Sequence, residues 1–174
     1  MAEKKGVVYL IEALTRIDVK LFSKLLVVGD GPLRNYLEQK VNELRIKDKV
    51  IFLGSLSYSQ LQKLYNESIF IVVPSITTRE GDREGFPTVY LDSMACGCPI
   101  ITTNIEGVDS IIQNNENGII VKQKNSKALA KAIIALLNND KLRTVISKKA
   151  LEDVRKKYNW NIVSKQYIKI ISQI

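Results

Sequence analysis

Residues 84–99 read Glu-Gly-Phe-Pro-Thr-Val-Tyr-Leu-Asp-Ser-Met-Ala-Cys-Gly-Cys-Pro, and this stretch carries the clearest structural signals in the chain. Pro87 suits the first turn of a helix, because its missing N–H would have no helical partner there. The apolar residues that follow predict a helix that Gly97 ends, before Pro99 opens a strand. The charged segment 77–85 is typical of a loop. The stretch therefore predicts a loop, a helix and a strand in succession, as in α/β domains.

Five short apolar runs predict the strands of this domain. They are Lys24–Val28, Val50–Leu53, Ile69–Val73, Pro99–Thr102 and Gly118–Val121. Most are continuously apolar, which is typical of strands that are covered on both faces. Other segments of the chain have apolar residues at the spacing of one helix face. These residues are Leu33, Leu37, Val41 and Leu44; Leu129, Ala132, Ile133, Leu136 and Leu137; and Val163, Tyr167, Ile170 and Ile174. This alternation predicts a Rossmann-like parallel sheet with helices on both faces.

The composition fits one globular α/β domain over residues 1–174, with 45% hydrophobic and 25% charged residues. The chain contains no histidine, which excludes histidine-dependent triads and HExxH zinc sites within it. Cys96 and Cys98 are too close for a comfortable disulfide, so we expect two small buried residues in a reducing compartment and no metal site. No apolar run reaches the roughly 20 residues of a membrane span, and the first residues lack the features of a signal peptide. We therefore expect a cytoplasmic protein.

Positive charge is concentrated at the end of the chain. Residues 141–174 hold nine basic and two acidic residues, whereas residues 1–140 are nearly neutral. We expect basic helices here. Their charged side chains are expected to form a solvated face, and peripheral contact with an anionic membrane at its inner face stays open as a hypothesis. The aromatic residues of this tail, Tyr158, Trp160 and Tyr167, are expected on a core stripe rather than in base stacking, so we expect no nucleic-acid partner.

The predicted helix after Pro87 offers a candidate ligand site. Its N-terminus presents free backbone N–H groups and the positive end of the helix dipole, which together favour phosphate. Gly85 would let a ligand approach the backbone. The carboxylates of Glu84 and Asp92 bracket this N-terminus and could accept hydrogen bonds from sugar hydroxyls. The structural alternatives are a dipole-stabilising charge at Glu84 and a solvent-facing side chain at Asp92. A second glycine-containing turn, 29–34, lacks the third glycine of a dinucleotide fingerprint and is expected to be a plain strand-to-helix turn.

These residues resemble the donor-binding domain of glycosyltransferase family 4, also called group 1, which has the two-domain GT-B fold. Residues 84–99 are similar to the family pattern EGFPxxxLEAMACGxP, in which two Glu residues lie eight positions apart. Further landmarks fall in order along essentially the whole chain: a basic-Lys-Gly segment at 4–6, a VGDGP segment at 28–32, a VxFLG strand at 50–54 and an NGxLV strand at 117–121. The resemblance implies the C-terminal half of a GT-B fold.

The resemblance also implies a site for a UDP- or GDP-sugar donor, with no cofactor and no metal. Glu84 would be the catalytic residue through its contact with the sugar hydroxyls, and Asp92 would hold the ribose. Lys5 and the backbone N–H groups of Gly85 and Phe86 would contact the diphosphate, and the loop of Gly54, Ser55 and Leu56 would touch the nucleobase. Pro87 is a further expected nucleotide-sugar contact. The implied reaction is sugar transfer with retention to a glycan or lipid-linked acceptor in bacterial surface polysaccharide synthesis.

Two departures from the family pattern matter. Asp92 replaces the second Glu and is one methylene shorter. The family also has an acceptor-binding domain and a first donor-domain strand, ending in a phosphate-binding Arg, before the position of residue 1. Without that strand we expect a gap between the first and third strands of this chain. Arg79 and Arg83 are candidates to replace that Arg, although solvated loop side chains are the simpler interpretation.

Other functions stay open at this point. A truncated, non-catalytic nucleotide-binding or interaction module of the same fold is the main alternative to an enzyme domain, and the isolated chain is expected to be inactive. A sugar-nucleotide epimerase of a similar fold would also need a partner domain. A basic nucleic-acid module would show steep salt dependence of binding.

Overall fold

The computed structural model describes residues 1–85 and 87–172. Within these residues lie five strands and seven α-helices, which alternate along the chain until three helices follow the last strand. The strands are β1 (Leu25–Val28), β2 (Val50–Gly54), β3 (Ile71–Val73), β4 (Ile100–Thr103) and β5 (Ile119–Val121). The helices are α1 (Val7–Leu14), α2 (Arg34–Glu43), α3 (Tyr58–Glu67), α4 (Thr88–Ala95), α5 (Ser126–Leu137), α6 (Asp140–Lys157) and α7 (Trp160–Ile171). Short 3₁₀ turns lie at Glu3–Lys5, Lys47–Lys49 and Val108–Ser110. All five predicted strands and the predicted α/β order are confirmed.

The strands pair in parallel, but they form two separate half-sheets. One contains β1 and β2, and the other has the order β3-β4-β5. Leu25 pairs with Val50, Ile71 with Ile100, and Ile101 with Ile119. The edge strands β1 and β3 do not pair with each other in the described part of the chain. The gap expected between the first and third strands is therefore present.

A groove of about 740 Å³ lies between the half-sheets. Residues of β1 and β3 form its walls, and residues of α1, α3 and α5 close it. At its carboxyl end, the first residues of the chain bridge the two edges. The Met1 carbonyl accepts a hydrogen bond from the Leu33 N–H, and the Lys4 carbonyl accepts one from the Ile76 N–H. These two hydrogen bonds hold the first residues of the chain across the carboxyl end of the gap.

Two apolar layers cover the half-sheets. The larger one packs α1, α2 and α5 against both half-sheets, with Leu37, Val27 and Ile101 among its buried residues. The smaller one packs α4 and α6 on the opposite face of the three-stranded half, around Tyr90 and Met94. Helices thus lie on both faces of this half-sheet, as predicted.

The opposite face of the β1–β2 half-sheet is less well covered than its continuous apolar sequence predicts. Leu26, Val28, Ile51 and Leu53 are each more than a third exposed. Helix α3, which follows β2, buries none of its own residues. The exposed face borders the groove, so the open side of this half-sheet and the gap are one feature.

The C-terminal helices differ in how they pack. Helix α6 is fixed by Asp153, which is buried and accepts hydrogen bonds from Asn117 Nδ2 at 2.9 Å and Lys149 Nζ at 3.1 Å. Burial acts to raise the pKa of Asp153, but these hydrogen bonds and the charges of Lys149 and Lys157 lower it on balance.

Helix α7, in contrast, leaves its apolar residues in solvent. Trp160 is 85% exposed and Tyr167 65% exposed, and Ile168, Ile170 and Ile171 are similarly open. The prediction that Trp160, Tyr167 and Ile170 line a core stripe is therefore wrong, because little of the body packs against this helix. Ile174 of the same predicted stripe lies outside the described residues.

Candidate functional site

The candidate site lies where the loop between β3 and α4 leaves the carboxyl edge of the sheet. In this segment, called the 74–87 loop, the described residues 74–85 and 87 form no helix or strand, and the prediction of a loop at 77–85 is confirmed. It is tightly folded, since the Thr78 N–H donates to the Asp82 carbonyl and the Asp82 N–H donates to Thr78 Oγ1. Its charged side chains therefore occupy defined positions.

Two ion pairs join this loop to the first residues of the chain. Lys5 Nζ lies 3.0 Å from Glu84 Oε2, and Lys4 Nζ lies 3.0 Å from Asp82 Oδ1. Gly6 makes this placement possible. It ends the 3₁₀ turn with φ +60°, and a Cβ at this position would overlap the carbonyl oxygen of Pro74. The structure thus brings together the predicted residues Lys5 and Glu84.

Glu84 is held in a largely enclosed position. Its side chain is only 12% exposed, whereas that of Asp82 is 59% exposed. Its second oxygen, Oε1, is buried and has no hydrogen-bond partner among the described residues. A buried carboxylate oxygen without a donor is unusual, so the contact of Lys5 with Oε2 is the main compensation for this charge among the described residues.

Below Glu84 lies the buried ring of Tyr90. Its hydroxyl is 2.7 Å from Thr102 Oγ1, and burial raises the pKa of Tyr90, with the charge of Glu84 adding to this effect. The phenol therefore stays neutral and links α4 to β4. It fixes the base of the loop rather than titrating.

The N-terminus of α4 is open to a ligand. Pro87 precedes the helix and provides no side-chain cap; the Tyr90 N–H donates to the Pro87 carbonyl, and the Thr88 and Val89 N–H groups have no partner among the described residues. A Cβ at Gly85 would meet nothing within 4 Å, which shows free space on the approach to this N-terminus. Phe86, the other predicted diphosphate contact, lies outside the described residues.

Asp92 lies in the second turn of α4 and lines the groove rather than joining the Lys5–Glu84 pair. Burial raises its pKa above the ordinary value. The neighbouring Tyr65 of α3 has its pKa raised to about 12, mainly by burial and further by the charge of Asp92. Asp92 is therefore not a plain solvent-facing residue, which was the alternative interpretation, because it lines the groove.

The predicted nucleobase loop lies at the carboxyl end of β2. Gly54 has φ +69° and ends this strand, Ser55 is exposed and Leu56 is partly buried. Beside the loop, Arg34 Nη1 lies 3.1 Å from Asp30 Oδ2. The loop shares the carboxyl edge of the sheet with Glu84 but lies on the other half-sheet, so the predicted site extends across the gap.

Several contacts were missed because they join residues far apart in sequence. The Gln123 side-chain oxygen accepts from the Thr77 N–H at 2.7 Å, and the Gln123 N–H donates to Asn104 Oδ1 at 2.8 Å. These bonds fasten the loop to the ends of β4 and β5. Arg83 pairs with Glu106, so the proposed alternative phosphate ligand is already engaged. No periodicity in the sequence indicates such pairs.

Neither cysteine is part of this arrangement. Both are free thiols; Cys98 is buried, as expected, whereas Cys96 is only half-buried. Burial raises the pKa of Cys98 to about 11, which makes it unreactive at neutral pH. The described residues contain no cluster of three or more potential metal-ligating side chains, and none of their helices is long and apolar enough to cross a membrane.

Comparisons with known proteins identify the family. The profile described as "Glycosyl transferases group 1" matches residues 1–153. An uncharacterized glycosyltransferase of Methanocaldococcus jannaschii is 34% identical over 96% of this chain and 41% of its own length. An N,N'-diacetylbacillosaminyl-diphospho-undecaprenol alpha-1,3-N-acetylgalactosaminyltransferase of Campylobacter jejuni is 35% identical over 72% of this chain and 31% of its own length.

A solved structure agrees with the sequence relatives. The C-terminal domain of the group 1 glycosyl transferase LpcC of Francisella tularensis superimposes with a TM-score of 0.80 at 27% identity, over 92% of this chain and 83% of that one. The chain spans about two fifths of the length of most of the curated relatives it matches. It has the fold of the C-terminal half of a GT-B glycosyltransferase, and it belongs to the group 1 glycosyltransferase family.

Proposed function

We propose that this chain is the donor-binding domain of a retaining glycosyltransferase that uses a nucleotide-diphosphate sugar. The observation that carries the proposal is the Lys5–Glu84 pair at the open N-terminus of α4. A cation and free N–H groups suit a diphosphate, and the buried Glu84 carboxylate suits the sugar hydroxyls. The proposed acceptor is a glycan or lipid-linked sugar of a bacterial surface polysaccharide.

In this proposal, different residues bind different parts of the donor. Lys5 and the backbone N–H groups at Gly85 and Phe86 neutralise the leaving diphosphate, while Glu84 orients the sugar. Asp92 holds the ribose from the groove wall. Stabilising the charge of the leaving group while the sugar carbon becomes oxocarbenium-like is the main catalytic effect, and it requires no histidine base.

A titration of the chain with UDP and then GDP, followed by two-dimensional amide NMR, tests donor binding. We expect selective shifts at Lys5, Gly85 and Asp92 with one of the two nucleotides. Gly85→Ala should weaken that binding about tenfold or more, because a methyl group enters the ligand's approach without meeting the protein. Thermal unfolding of this variant should match that of the unmodified chain.

The same titration separates the enzyme domain from its alternative. Dispersed spectra that respond to neither nucleotide would support a non-catalytic interaction module of the same fold. An identical response in the Gly85→Ala variant would place the nucleotide elsewhere on the surface.

We also propose that the groove between β1 and β3 is filled by a strand from the segment that precedes Met1 in the full-length protein. In the described part of the chain, the β1 and β3 edges that line the groove pair with no other strand, and one added parallel strand can pair with both. Met1 lies at the carboxyl end of the groove, where a strand parallel to β1 would finish. An acceptor-binding domain upstream of that strand would supply the second wall of the cleft, and without it the isolated chain should not transfer sugar.

Contact with an anionic membrane is a further part of the proposal. The apolar residues of α7 are exposed beside the exposed side chains of Lys165 and Lys169, a combination that suits the surface of an anionic bilayer. The Campylobacter relative is named for a substrate on diphospho-undecaprenol, which a membrane would present. Lys149 and Lys157 are less suitable contacts, because both pair with the buried Asp153.

Cosedimentation with phosphatidylglycerol vesicles tests this contact. The unmodified chain should bind, and Lys165→Glu with Lys169→Glu should lower binding by about tenfold or more, since each basic residue near the surface contributes about 1 kcal/mol. The matched control is Lys127→Glu with Lys131→Glu, which makes the same charge change at exposed positions with the same spacing on α5. Equal losses in both variants would indicate a general charge effect and contradict a contact through α7.

A further inference from the structure

The two ion pairs at the site have equal lengths but different surroundings. Each joins a lysine of the first 3₁₀ turn to a carboxylate of the 74–87 loop at 3.0 Å. The Lys4–Asp82 pair has an open carboxylate, which water can solvate if the lysine leaves. The carboxylate of Glu84 is 12% exposed, and water can replace the lysine there only in part.

We propose that the Lys5–Glu84 pair makes the site bind the intact sugar donor and reject the nucleoside diphosphate that remains after transfer. The inference rests on the proposed function, because it requires the diphosphate to bind beside Lys5. Glu84 then has a second role besides contacting the sugar, which is to destabilise the complex with the spent nucleotide.

The energetic argument starts from the diphosphate alone. Its negative charge draws Lys5 towards the N-terminus of α4 and away from Glu84 Oε2. The Glu84 carboxylate is then left enclosed, without its cation and close to a second anion. Removing the cation from an enclosed carboxylate is costly, and two neighbouring anions repel each other.

The attached sugar compensates for this loss. A sugar hydroxyl can donate to Glu84 Oε2, the oxygen that Lys5 leaves. Hydrogen bonds to a charged acceptor are about twice as strong as neutral ones. Glu84 therefore receives donors from the sugar while Lys5 moves to the phosphates, and only the intact donor satisfies both groups.

Isothermal titration calorimetry of UDP and GDP binding to a Glu84→Gln variant tests the inference. Glutamine has the same shape without the charge, so it neither holds Lys5 strongly nor repels the diphosphate. Whichever of UDP and GDP binds the unmodified chain should bind the Glu84→Gln variant about fivefold to tenfold more tightly. A residue that only contacted the sugar would leave this affinity unchanged.

Asp82→Asn is the matched control. It removes the same charge from the same loop and breaks the equivalent pair with Lys4, but at an exposed position. Its affinity for the nucleoside diphosphate should change by less than about twofold, because solvent screens the exposed carboxylate. Equal gains in the two variants would show a general charge effect and overturn the inference.

A second background, Lys5→Gln, tests the inference even if Glu84→Gln lowers the melting temperature. In Lys5→Gln the pair is already broken before ligand arrives, so adding Glu84→Gln to this variant should raise nucleotide affinity less than it does in the unmodified chain. An undiminished gain would overturn the proposed role of the pair. Failure of the unmodified chain to bind either nucleotide would instead overturn the proposed function, and the inference with it.

Discussion

Replacing Gly6 with alanine should lower the free energy of unfolding by more than about 3 kcal/mol. Gly6 has φ +60°, which alone costs a residue with a side chain about 1–2 kcal/mol. The added methyl would also overlap the Pro74 carbonyl, which is backbone and cannot turn aside. Residues 1–5 would then have to leave the carboxyl edge of the sheet. Urea unfolding followed by circular dichroism measures the loss.

Gly81→Ala is the matched control for this prediction. Gly81 also has a positive φ of +84°, but a Cβ there would meet nothing within 4 Å. This variant should lose only about 1 kcal/mol, which corresponds to the conformational cost without the overlap. Equal losses in Gly6→Ala and Gly81→Ala would mean that the first residues of the chain do not pack against Pro74. Gly6→Ala should also weaken nucleotide binding, since Lys5 is placed by the same turn.

A longer chain that includes the preceding segment should be more stable than residues 1–174, by about 3 kcal/mol or more. The added strand would bury several apolar side chains at about 1.5–3 kcal/mol each and form hydrogen bonds with both free edges. The backbone entropy of ordering a short strand offsets only part of this gain. Denaturant unfolding of the two chains compares their stabilities.

Hydrogen exchange locates the added strand. Alternate amides of β1 and β3 face the groove, and their exchange should slow by about 100-fold or more in the longer chain. A proline in the middle of the added segment serves as control, because it removes a ladder hydrogen bond and should reverse most of the protection. Unchanged exchange at both edges would show that the groove is not a strand site.

The fold was largely predictable because its strands are short and apolar in sequence. Continuous apolar runs such as Val50–Leu53 and Pro99–Thr102 favour strands, and the structure begins β2 and β4 within one residue of those positions. Stripes such as Leu129, Ala132 and Ile133 predicted a buried helix face for the same reason.

Long-range partners were harder to predict. Lys5 and Glu84 were both expected at the site, but their direct pairing joins residues 79 positions apart and has no local signal. The apolar face of α7 was misassigned because an amphipathic pattern indicates only that a helix has an apolar partner. It does not say whether that partner is the same body, another domain or a membrane. The uncovered face of β1 and β2 was missed for a similar reason, since an apolar run does not reveal which covering element is close by.

The bridge formed by residues 1–6 has a mechanical consequence. These residues connect the two half-sheets at the ligand edge, with Met1 bonded beside β1 and Lys4 bonded beside β3. A force applied at Met1 would load this bridge before it loads the interior of either half-sheet. Lys4 and Lys5 would then be drawn away from the 74–87 loop first. Displacement of these first residues would therefore loosen the proposed contact with a nucleotide while both halves of the sheet remain folded.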